Sequence, residues 1–499
     1  MSRRAPSPAA GLVAVLCLAA SNPVGCAKGA PATSPTLDPL QQLARDITAT
    51  THLPGVQRAA WGIVVQSLER QERIYELNPR TLLVPASTAK LVSLASAVDA
   101  VGWDYRYETT VRATAPVVDG IIPGDLVIAG AGDPSIGGRG GADLSTWIDA
   151  LKAQGVRRIE GRIIGDDDSV EEPRPQLAWA WDDLGYATGV MFGALNLAEN
   201  RLVVSISPGS TPAAPATLSL APPAASRPLA NKTTTGPPGS PLLIWPEQRP
   251  GETSLTIAGS IPVGAPPTGL SVSAGNPTFW FASVMRHALL DSGIEVSGDA
   301  VDVDDAMPPP AHGETLLYTH RSATLAQLAR PLLKDSINLY GEAVLRLNVP
   351  PGAAATNDSA LAGLRGRMTS WGIPAEGWQV VDGSGLSRRN AIAAETLVAI
   401  LQRMYDPSAD SPWMTAFPIA GRDGTLARRM IGTSAEGNLR AKTGTMSNIR
   451  SLAGYVTTRD GETLAFAILS DNFEGSGAAA TEAVDRIAVT LAAFSRTRQ

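Results

Sequence analysis

The two ends of this 499-residue chain share one sequence pattern, and the long middle region has another. Near the start, residues 61–68 and 72–79 are strand-like runs that form a hairpin-like pair around a short polar turn, and residues 449–472 repeat this arrangement near the end. Helical periodicity lies between them, as in residues 324–348, and a last helix is predicted at 477–494. This order predicts one α/β domain that is formed by both ends of the chain and split by an insertion.

The middle region has the character of small β-rich modules. Short strand-like pieces such as residues 124–130 alternate there with Gly/Pro turns. Residues 207–240 are rich in Pro, Ala and Ser and are predicted to form a loop or a bulging connection. We therefore expect residues 39–108 and 312–496 to form the split domain. Residues 109–311 are expected to form one or two inserted β-rich domains.

The N-terminus is typical of an exported protein. Residues 1–26 combine a short basic start with an apolar core that is too short to span a bilayer, which predicts a signal peptide. Cys26 follows small residues, a pattern that suits attachment of a lipid, although ordinary cleavage near Ala20 would fit equally well. Residues 27–38 are rich in Ala, Pro, Ser and Thr and are predicted to be a linker. We expect a periplasmic or cell-envelope protein, either soluble or tethered to the membrane through a lipid on Cys26.

Composition argues against several classes of function. The formal net charge is −6 and there is no run of Lys or Arg, so nucleic acid is not expected as a partner. The four histidines are scattered and lack the spacing of zinc ligands. The sequence therefore predicts neither a metal nor a cofactor.

A serine and a lysine three residues apart, Ser87 and Lys90, begin an apolar helical run. Only six of the 41 basic residues are lysines, so a position that needed only positive charge would here have drawn arginine. Residues at i and i+3 are neighbours on one helix face. A lysine can take the proton of a serine hydroxyl if its surroundings lower its pKa, whereas arginine stays protonated. Taken alone, however, the pair is better explained as a helix cap beside a solvated lysine.

Two further motifs follow in order along the chain. Ser336 and Asn338 form S-x-N, in which a hydroxyl and an amide could relay a proton and hold a substrate amide, or cap a helix. Residues 442–445 read Lys-Thr-Gly-Thr before a predicted strand, which would put a cation and a hydroxyl at a strand edge to hold a carboxylate; the alternative is a polar turn. Gly444 would let a substrate backbone approach closely. A rival S-D-N at 470–472 lies after this motif, in the wrong order, so we assign the role to Ser336 and Asn338.

The order S-x-x-K, S-x-N, K-T-G resembles the signature of penicillin-binding proteins and serine β-lactamases. The chain is most similar to the D-alanyl-D-alanine carboxypeptidases/endopeptidases of peptidase family S13, the class C low-molecular-mass penicillin-binding proteins. The resemblance covers most of the exported chain, including the long insertion between the first two motifs. The stretches that carry it are VPASTAKL (84–91), GDLVIAGAGDPSI (124–136), WAWDDLGY (179–186), ALNLAEN (194–200), KDSINLYGEAVLR (334–346), DGSGLSRRN (382–390) and RAKTGT (440–445).

The resemblance implies a fold and a function. The fold would be α/β, a transpeptidase/β-lactamase-like α-β-α sandwich interrupted by inserted β-rich domains. The function would be cleavage of the D-Ala-D-Ala bond in peptidoglycan stem peptides, as a carboxypeptidase or also as an endopeptidase on cross-links. β-Lactam antibiotics would be covalent inhibitors, and no cofactor would be required.

The resemblance also implies a role for each motif residue. Ser87 would form the acyl-enzyme, with Lys90 as its base. Ser336 would pass a proton to the leaving amine, and Asn338 would orient Lys90 and the substrate amide. Lys442 and Thr443 would hold the substrate carboxylate beside Gly444 and Thr445, and the backbone N–H groups of Ser87 and Thr445 would form the oxyanion hole. The stretch 382–390 is assigned no chemistry.

Three other classes of protein fit the sequence less well. Class A β-lactamases need E-x-x-x-N and class C β-lactamases use Y-x-N, and the sequence contains neither pattern. An α/β-hydrolase would need G-x-S-x-G, which is also absent. A non-catalytic peptidoglycan-binding protein on the same fold would be expected to lose Ser87 or Lys90. A DD-peptidase is therefore favoured, with a serine β-lactamase as the alternative.

Overall fold

The computed structural model describes residues 38–497 apart from residues 140, 142, 173–174, 177–178, 222–226, 250, 311–314 and 409. The predicted signal peptide, the linker up to residue 37 and Cys26 lie outside the described residues. In the part of the chain that is described, no helix is long and apolar enough to cross a membrane.

Ten α-helices and 21 strands lie within these described residues. The helices are α1 (Pro39–Thr51), α2 (Ala89–Val101), α3 (Leu144–Ala153), α4 (Pro277–Asp291), α5 (Leu325–Lys334), α6 (Asn338–Arg346), α7 (Asn357–Ser370), α8 (Ala394–Met404), α9 (Pro412–Ala416) and α10 (Gly477–Ala493). The strands are β1 (Ala60–Ser67), β2 (Arg73–Leu77), β3 (Glu108–Ala113), β4 (Ile121–Ile122), β5 (Leu126–Ala129), β6 (Arg158–Ile159), β7 (Ile163–Asp166), β8 (Arg201–Ser207), β9 (Thr217–Ala221), β10 (Leu229–Gly236), β11 (Leu243–Glu247), β12 (Leu255–Pro262), β13 (Thr268–Ser273), β14 (Glu295–Val296), β15 (Ala300–Asp302), β16 (Thr315–Arg321), β17 (Trp378–Gln379), β18 (Ala391–Ile392), β19 (Arg440–Met446), β20 (Ile449–Thr457) and β21 (Thr463–Asp471).

The main sheet joins the two ends of the chain. Its strand order is β19-β20-β21-β1-β2, and every neighbouring pair is antiparallel. Both predicted strand pairs are confirmed, and they meet where Trp61 of β1 lies opposite Ser470 of β21. Because β1 lies inside the sheet and not at its edge, the sheet needs both ends of the chain.

Helices cover both faces of the main sheet. Ile63 and Val65 of β1 lie in the core formed with α1 and α10, whereas Val64 lies in the core formed with α2 and α8. Successive strand residues point to opposite faces, and all three side chains are fully buried. A strand that is buried on both faces is largely apolar, and β1 is apolar from Ala60 to Val65. The predicted α-β-α sandwich is therefore confirmed.

The middle region builds four further sheets. Their strand orders are β15-β7-β5-β3-β16, β14-β6-β4, β13-β8-β9 and β10-β12-β11. The helices α3 and α4, which the strand-like pattern did not predict, pack with these sheets in a separate core that contains Trp147 and Phe281. Because β16 pairs with β3, we propose that the inserted region extends to residue 321 and not only to residue 311.

The prediction that residues 207–240 form a loop or bulging connection was wrong. This segment contains all of β9 and β10, which pair with β8 and β12. Threonine is β-branched and suits extended backbone, and β10 has three threonines in succession at 233–235. The surrounding Pro and Ala concealed these strands because composition says nothing about the neighbour with which a strand pairs.

The predicted helical run 324–348 is two helices, α5 and α6, separated by a turn at 335–337. Thr324 and Gln327 cap the start of α5 reciprocally. In the turn, Ser336 has a left-handed backbone with φ of 62°, a conformation that is uncommon for residues other than glycine. The break matters for the site because it lies at the S-x-N motif.

Candidate active site

The segment that carries Ser87 is a tight turn at the start of α2. Ala86, Ser87 and Thr88 form one turn of 3₁₀-helix, and Ala86 has a left-handed φ of 46°. Such a conformation costs free energy and persists where neighbours hold it. Two neighbours from the main sheet do so. The Ser451 hydroxyl donates to Pro85 O at 2.6 Å, and the Asp471 carboxylate accepts from Val84 N–H at 2.7 Å.

Lys90 is fully buried and has three oxygen neighbours. Its Nζ lies 2.9 Å from Ser87 Oγ, 2.7 Å from Asn338 Oδ1 and 2.6 Å from the backbone oxygen of Ser384. A neutral amine has two N–H groups and one lone pair. Because the two carbonyl oxygens can only accept hydrogen bonds, they take both N–H groups. The lone pair is then left facing the Ser87 hydroxyl, as a base requires.

Burial also adjusts the charge of Lys90. Loss of solvation lowers the pKa of the Lys90 ammonium from its ordinary value to about 7, against the opposing influence of the Asp382 and Glu342 carboxylates. A lysine with this pKa is neutral in about half of the molecules at pH 7. The explanation as a solvated lysine beside a helix cap does not fit, because Lys90 is 0% exposed and the N-cap of α2 is Thr88, while Ser87 lies within the preceding 3₁₀ turn.

The S-x-N motif contacts both lysines of the site. Asn338 Oδ1 accepts from Lys90, and its Nδ2 donates to the backbone oxygen of Thr188 at 2.8 Å, which fixes the orientation of the amide. Ser336 Oγ accepts from Lys442 Nζ at 2.8 Å. The hydroxyl proton of Ser336 is therefore free to be donated elsewhere. Thr188 belongs to the inserted region, so that region contributes directly to the site.

The Lys-Thr-Gly-Thr motif lies in β19, the edge strand of the main sheet. Lys442 is fully buried, and burial together with the charge of Lys90 holds the pKa of Lys442 well below its ordinary value. The Thr443 hydroxyl donates to Thr425 Oγ1 at 2.8 Å. Thr445 is exposed and, with Thr443, lines the cleft described below.

Gly444 lies against the segment that carries Ser87, whereas the sequence suggested that it would lie against the substrate backbone. A Cβ at this position would collide with Ser451 Oγ and would lie 2.7 Å from Pro85 O and 3.1 Å from Ala86 Cβ. These atoms belong to the segment that carries Ser87 and to the strand that holds it. The absence of a side chain at residue 444 therefore lets the protein's own nucleophile segment approach β19.

Sequence reasoning missed the residues that hold Ser384. Glu342, which is fully buried, accepts from the backbone N–H groups of Gly383 and Ser384 at 3.1 and 2.9 Å. Burial raises the pKa of the Glu342 carboxyl. The only signal in the sequence is that Glu342 lies four residues after Asn338, one helical turn further along the same face of α6.

Asp382 is a second buried carboxylate in this loop. It accepts hydrogen bonds from four donors: Gly385 N–H, Ser387 N–H, Asn390 Nδ2 and Trp179 Nε1, at 2.7 to 2.8 Å. The stretch 382–390, to which the sequence assigned no chemistry, therefore folds around Asp382 and presents the Ser384 oxygen to Lys90. Trp179 belongs to the inserted region, which thus contacts the site at a second point.

These groups line one open cleft of about 590 Å³. Ser87, Ser336, Asn338, Thr443 and Thr445 all contribute to its walls, so the structure brings together the motif residues that the sequence separates by up to 358 positions. Among the described residues, no group of three or more His, Cys, Asp or Glu side chains is arranged to hold a metal ion. The arrangement suits nucleophilic attack by a serine on the carbonyl carbon of a substrate amide. The hydroxyls on β19 could then bind a carboxylate of the same substrate.

Comparison with known proteins identifies the family. The model of the D-Ala-D-Ala carboxypeptidase 3 (S13) family matches residues 43–494. The chain belongs to this family. It is 32% identical over 468 residues to the D-alanyl-D-alanine carboxypeptidase of Actinomadura sp. (strain R39), covering 91% of this chain and 85% of that protein. This membership makes the protein an S13 serine DD-peptidase and confirms the resemblance found from the motifs.

A second relative and a solved structure agree with this assignment. The D-alanyl-D-alanine carboxypeptidase DacB of Haemophilus influenzae is 25% identical over 410 residues, covering 81% of this chain and 84% of that protein. The crystal structure of penicillin binding protein 4 (dacB) from the same organism matches with a TM-score of 0.76 at 24% identity, covering 86% of this chain and 94% of that one. The S13 enzyme described here therefore shares the penicillin-binding protein 4 fold.

Proposed function

We propose that this S13 enzyme cleaves the D-Ala-D-Ala bond of peptidoglycan stem peptides through an acyl-enzyme on Ser87. The observation that carries the proposal is the set of three oxygen atoms around Lys90 Nζ. Two of them occupy its N–H groups, so its lone pair faces the Ser87 hydroxyl. The pKa of about 7 supports a base that is neutral in a useful fraction of molecules near neutral pH.

The first half of the reaction would form the ester. Lys90 takes the Ser87 proton while Oγ attacks the carbonyl carbon between the two D-alanines. The negative oxygen of the intermediate is stabilised by the N–H groups of Ser87 and Thr445, and losing one such donor typically costs about 10²–10³ in rate. The C–N bond then breaks as Ser336, which accepts from Lys442, gives its own proton to the leaving nitrogen. The proton that Lys90 received replaces it, so both groups return to their starting state.

Substrate binding and release would use the other motif residues. The terminal carboxylate is held by Lys442 and by the hydroxyls of Thr443 and Thr445, next to Gly444, while Asn338 holds the substrate amide. Water then attacks the ester and releases the shortened peptide. The same steps would serve for endopeptidase cleavage of cross-links, because only the leaving amine differs. A β-lactam would acylate Ser87 in the same way and would leave slowly.

The place of action follows from the substrate. We propose that residues 1–26 direct export and that the enzyme works at the cell envelope, with Cys26 as the site of a lipid tether. Conversion of Cys26 to serine, followed by separation of membrane and soluble fractions, tests the tether. A protein that stays in the soluble fraction both before and after the change has none.

Labelling with a fluorescent penicillin tests the nucleophile. The purified protein should carry a covalent label on a denaturing gel, and Ser87→Ala should carry none. Label on both proteins would exclude Ser87. Absence of label with the penicillin hydrolysed would instead favour the serine β-lactamase, and absence of label with the penicillin intact would favour a non-catalytic protein.

A further inference from the structure

The cleft that contains Ser87 also has lining residues to which the proposed function gives no role. Besides Thr443 and Thr445 it is lined by Thr425, Arg429, Arg450 and Thr481. Arg450 lies on β20 directly opposite Thr445 on β19. Directly opposite residues of antiparallel strands have their side chains on the same face of the sheet. Arg450 therefore lies beside Thr445, one strand away from the proposed site for the terminal carboxylate on β19.

Arg450 is held by oxygen atoms that carry no formal charge. Its Nη1 donates to Met446 O at 2.9 Å and to Ile449 O at 2.7 Å, and its Nε donates to Thr481 Oγ1 at 3.0 Å. Within the described part of the chain, no carboxylate lies within 4.0 Å of this guanidinium. Arg429 differs, because it forms a short ion pair with Asp485. Arg450 thus brings a charge into the cleft that no described carboxylate balances.

The protein makes room for this guanidinium. A Cβ on Gly477, the first residue of α10, would collide with Arg450 Nη2. Gly477 does not have a left-handed backbone, so a Cβ would bring no conformational strain, and the close approach of the guanidinium is what a side chain would obstruct. Burial and the nearby charge of Arg429 both lower the pKa of Arg450, and an anion beside Arg450 would relieve this repulsion.

We propose that Arg450, held in place by Thr481, forms a subsite for a second carboxylate on the leaving group. The inference rests on the proposed function, in which the first carboxylate lies at Thr443 and Thr445 on β19. Neighbouring strands are about 4.8 Å apart, so the next anion would lie roughly that much further along the leaving amino acid. A D-amino acid with a carboxylate in its side chain has this shape, as does a diamino dicarboxylic acid released from a cross-link.

Three peptides that differ only in the leaving residue test the subsite. They share one acyl part and end in D-Ala-D-Ala, D-Ala-D-Gln or D-Ala-D-Glu, and kcat/KM is measured from the released D-amino acid. D-Glu and D-Gln have nearly the same shape, so their ratio isolates the charge. A partly solvated charge-assisted hydrogen bond is worth about 1.4 kcal/mol, and we therefore expect an approximately tenfold preference for D-Glu in the parent enzyme.

Variants distinguish the effect of the Arg450 charge from an effect on the structure of the β19–β20 turn. Arg450→Met should reduce the D-Glu/D-Gln ratio to about one, and Arg450→Lys should keep part of it. Gly477→Ala should also reduce the ratio, because its Cβ displaces the guanidinium without removing the charge. Arg428→Met removes an exposed cation from the same loop as Arg429 and should leave the ratio unchanged. Loosening of the β19–β20 turn would slow all three peptides alike and would not change the ratio.

Several results would overturn the subsite. A parent ratio near one would do so, as would an equal loss on all three peptides in Arg450→Met, because Arg450 would then either support the β19–β20 turn or belong to the site for the terminal carboxylate. Failure of the proposed function looks different, because then no peptide would be cleaved and fluorescent penicillin would not label Ser87.

Discussion

Replacing Asn338 by aspartate should move the pH dependence of acylation to higher pH. Lys90 accepts the Ser87 proton only when it is neutral, so the acylation rate should rise with pH through the pKa of Lys90, which is about 7. Asn338 Oδ1 lies 2.7 Å from Lys90 Nζ. A carboxylate there would stabilise the ammonium form and raise the pKa of Lys90.

The size of this shift can be estimated from the distance. At 2.7 Å and an effective dielectric constant of about 20, two unit charges interact by about 6 kcal/mol, which corresponds to about four pKa units. Half of this effect would still raise the pKa of Lys90 to about 9. At pH 7 the neutral fraction would then fall from about one half to about one hundredth, so acylation should be about 50-fold slower.

The assay is the second-order rate of labelling by fluorescent penicillin from about pH 5 to about pH 9.5. The variant also loses the hydrogen bond from Asn338 to Thr188 O, but that loss would lower the rate at every pH and would not move the midpoint. Lys90→Arg serves as the control, since it should remain unlabelled throughout the range. A midpoint for Asn338→Asp within half a unit of the parent midpoint would refute Lys90 as the base.

Two further predictions concern the packing of the site. Gly444→Ala should lower the melting temperature and slow penicillin labelling, because its Cβ would meet Ser451 Oγ and lie 2.7 Å from Pro85 O; overpacking of this kind typically costs about 1–3 kcal/mol, and unchanged melting and labelling would contradict the close contact. Trp179→Phe removes the indole N–H that Asp382 accepts at 2.8 Å, so labelling should slow and stability should fall by about 1.5–3 kcal/mol. Trp245→Phe is the matched control, because its indole also donates to a carboxylate but is exposed; equal effects in the two variants would argue against a role for Asp382 in the site.

The motif residues of the site could be predicted from the sequence. The groups that orient those residues could not. Ser87 and Lys90 were found because the nucleophile and its base must be neighbours on one helical turn, which fixes their spacing. The third neighbour of Lys90 is a backbone oxygen, at Ser384, 294 residues away. Any residue type has such an oxygen, so no letter in the sequence marks it, and only the folded loop around Asp382 reveals it.

Strands with a clear run of apolar residues were predicted from the sequence. Strands that depend on pairing with a neighbouring strand were missed. The strands β1, β20 and β21 consist mainly of buried apolar residues, and they were predicted. The strand β9 is only five residues long and β10 is largely polar; both lie among Pro-rich stretches and pair with β8 and β12. The structural role of Gly444 was also missed. A side chain at this position would collide with Pro85, which is remote in the sequence.

The interior position of β1 also affects when the enzyme becomes active during its synthesis. Its neighbour β21 is made about 400 residues later, which takes roughly 20 to 80 s at about 5–20 residues per second. Until then one side of β1 has no partner strand, and Asp471 is not present to hold Val84 beside Ser87. A product that stops at residue 460 contains all three motifs but lacks β21, and we expect it to be inactive. Catalysis would therefore begin only when nearly the whole chain has been translated, so a prematurely terminated chain could not cut the cell wall.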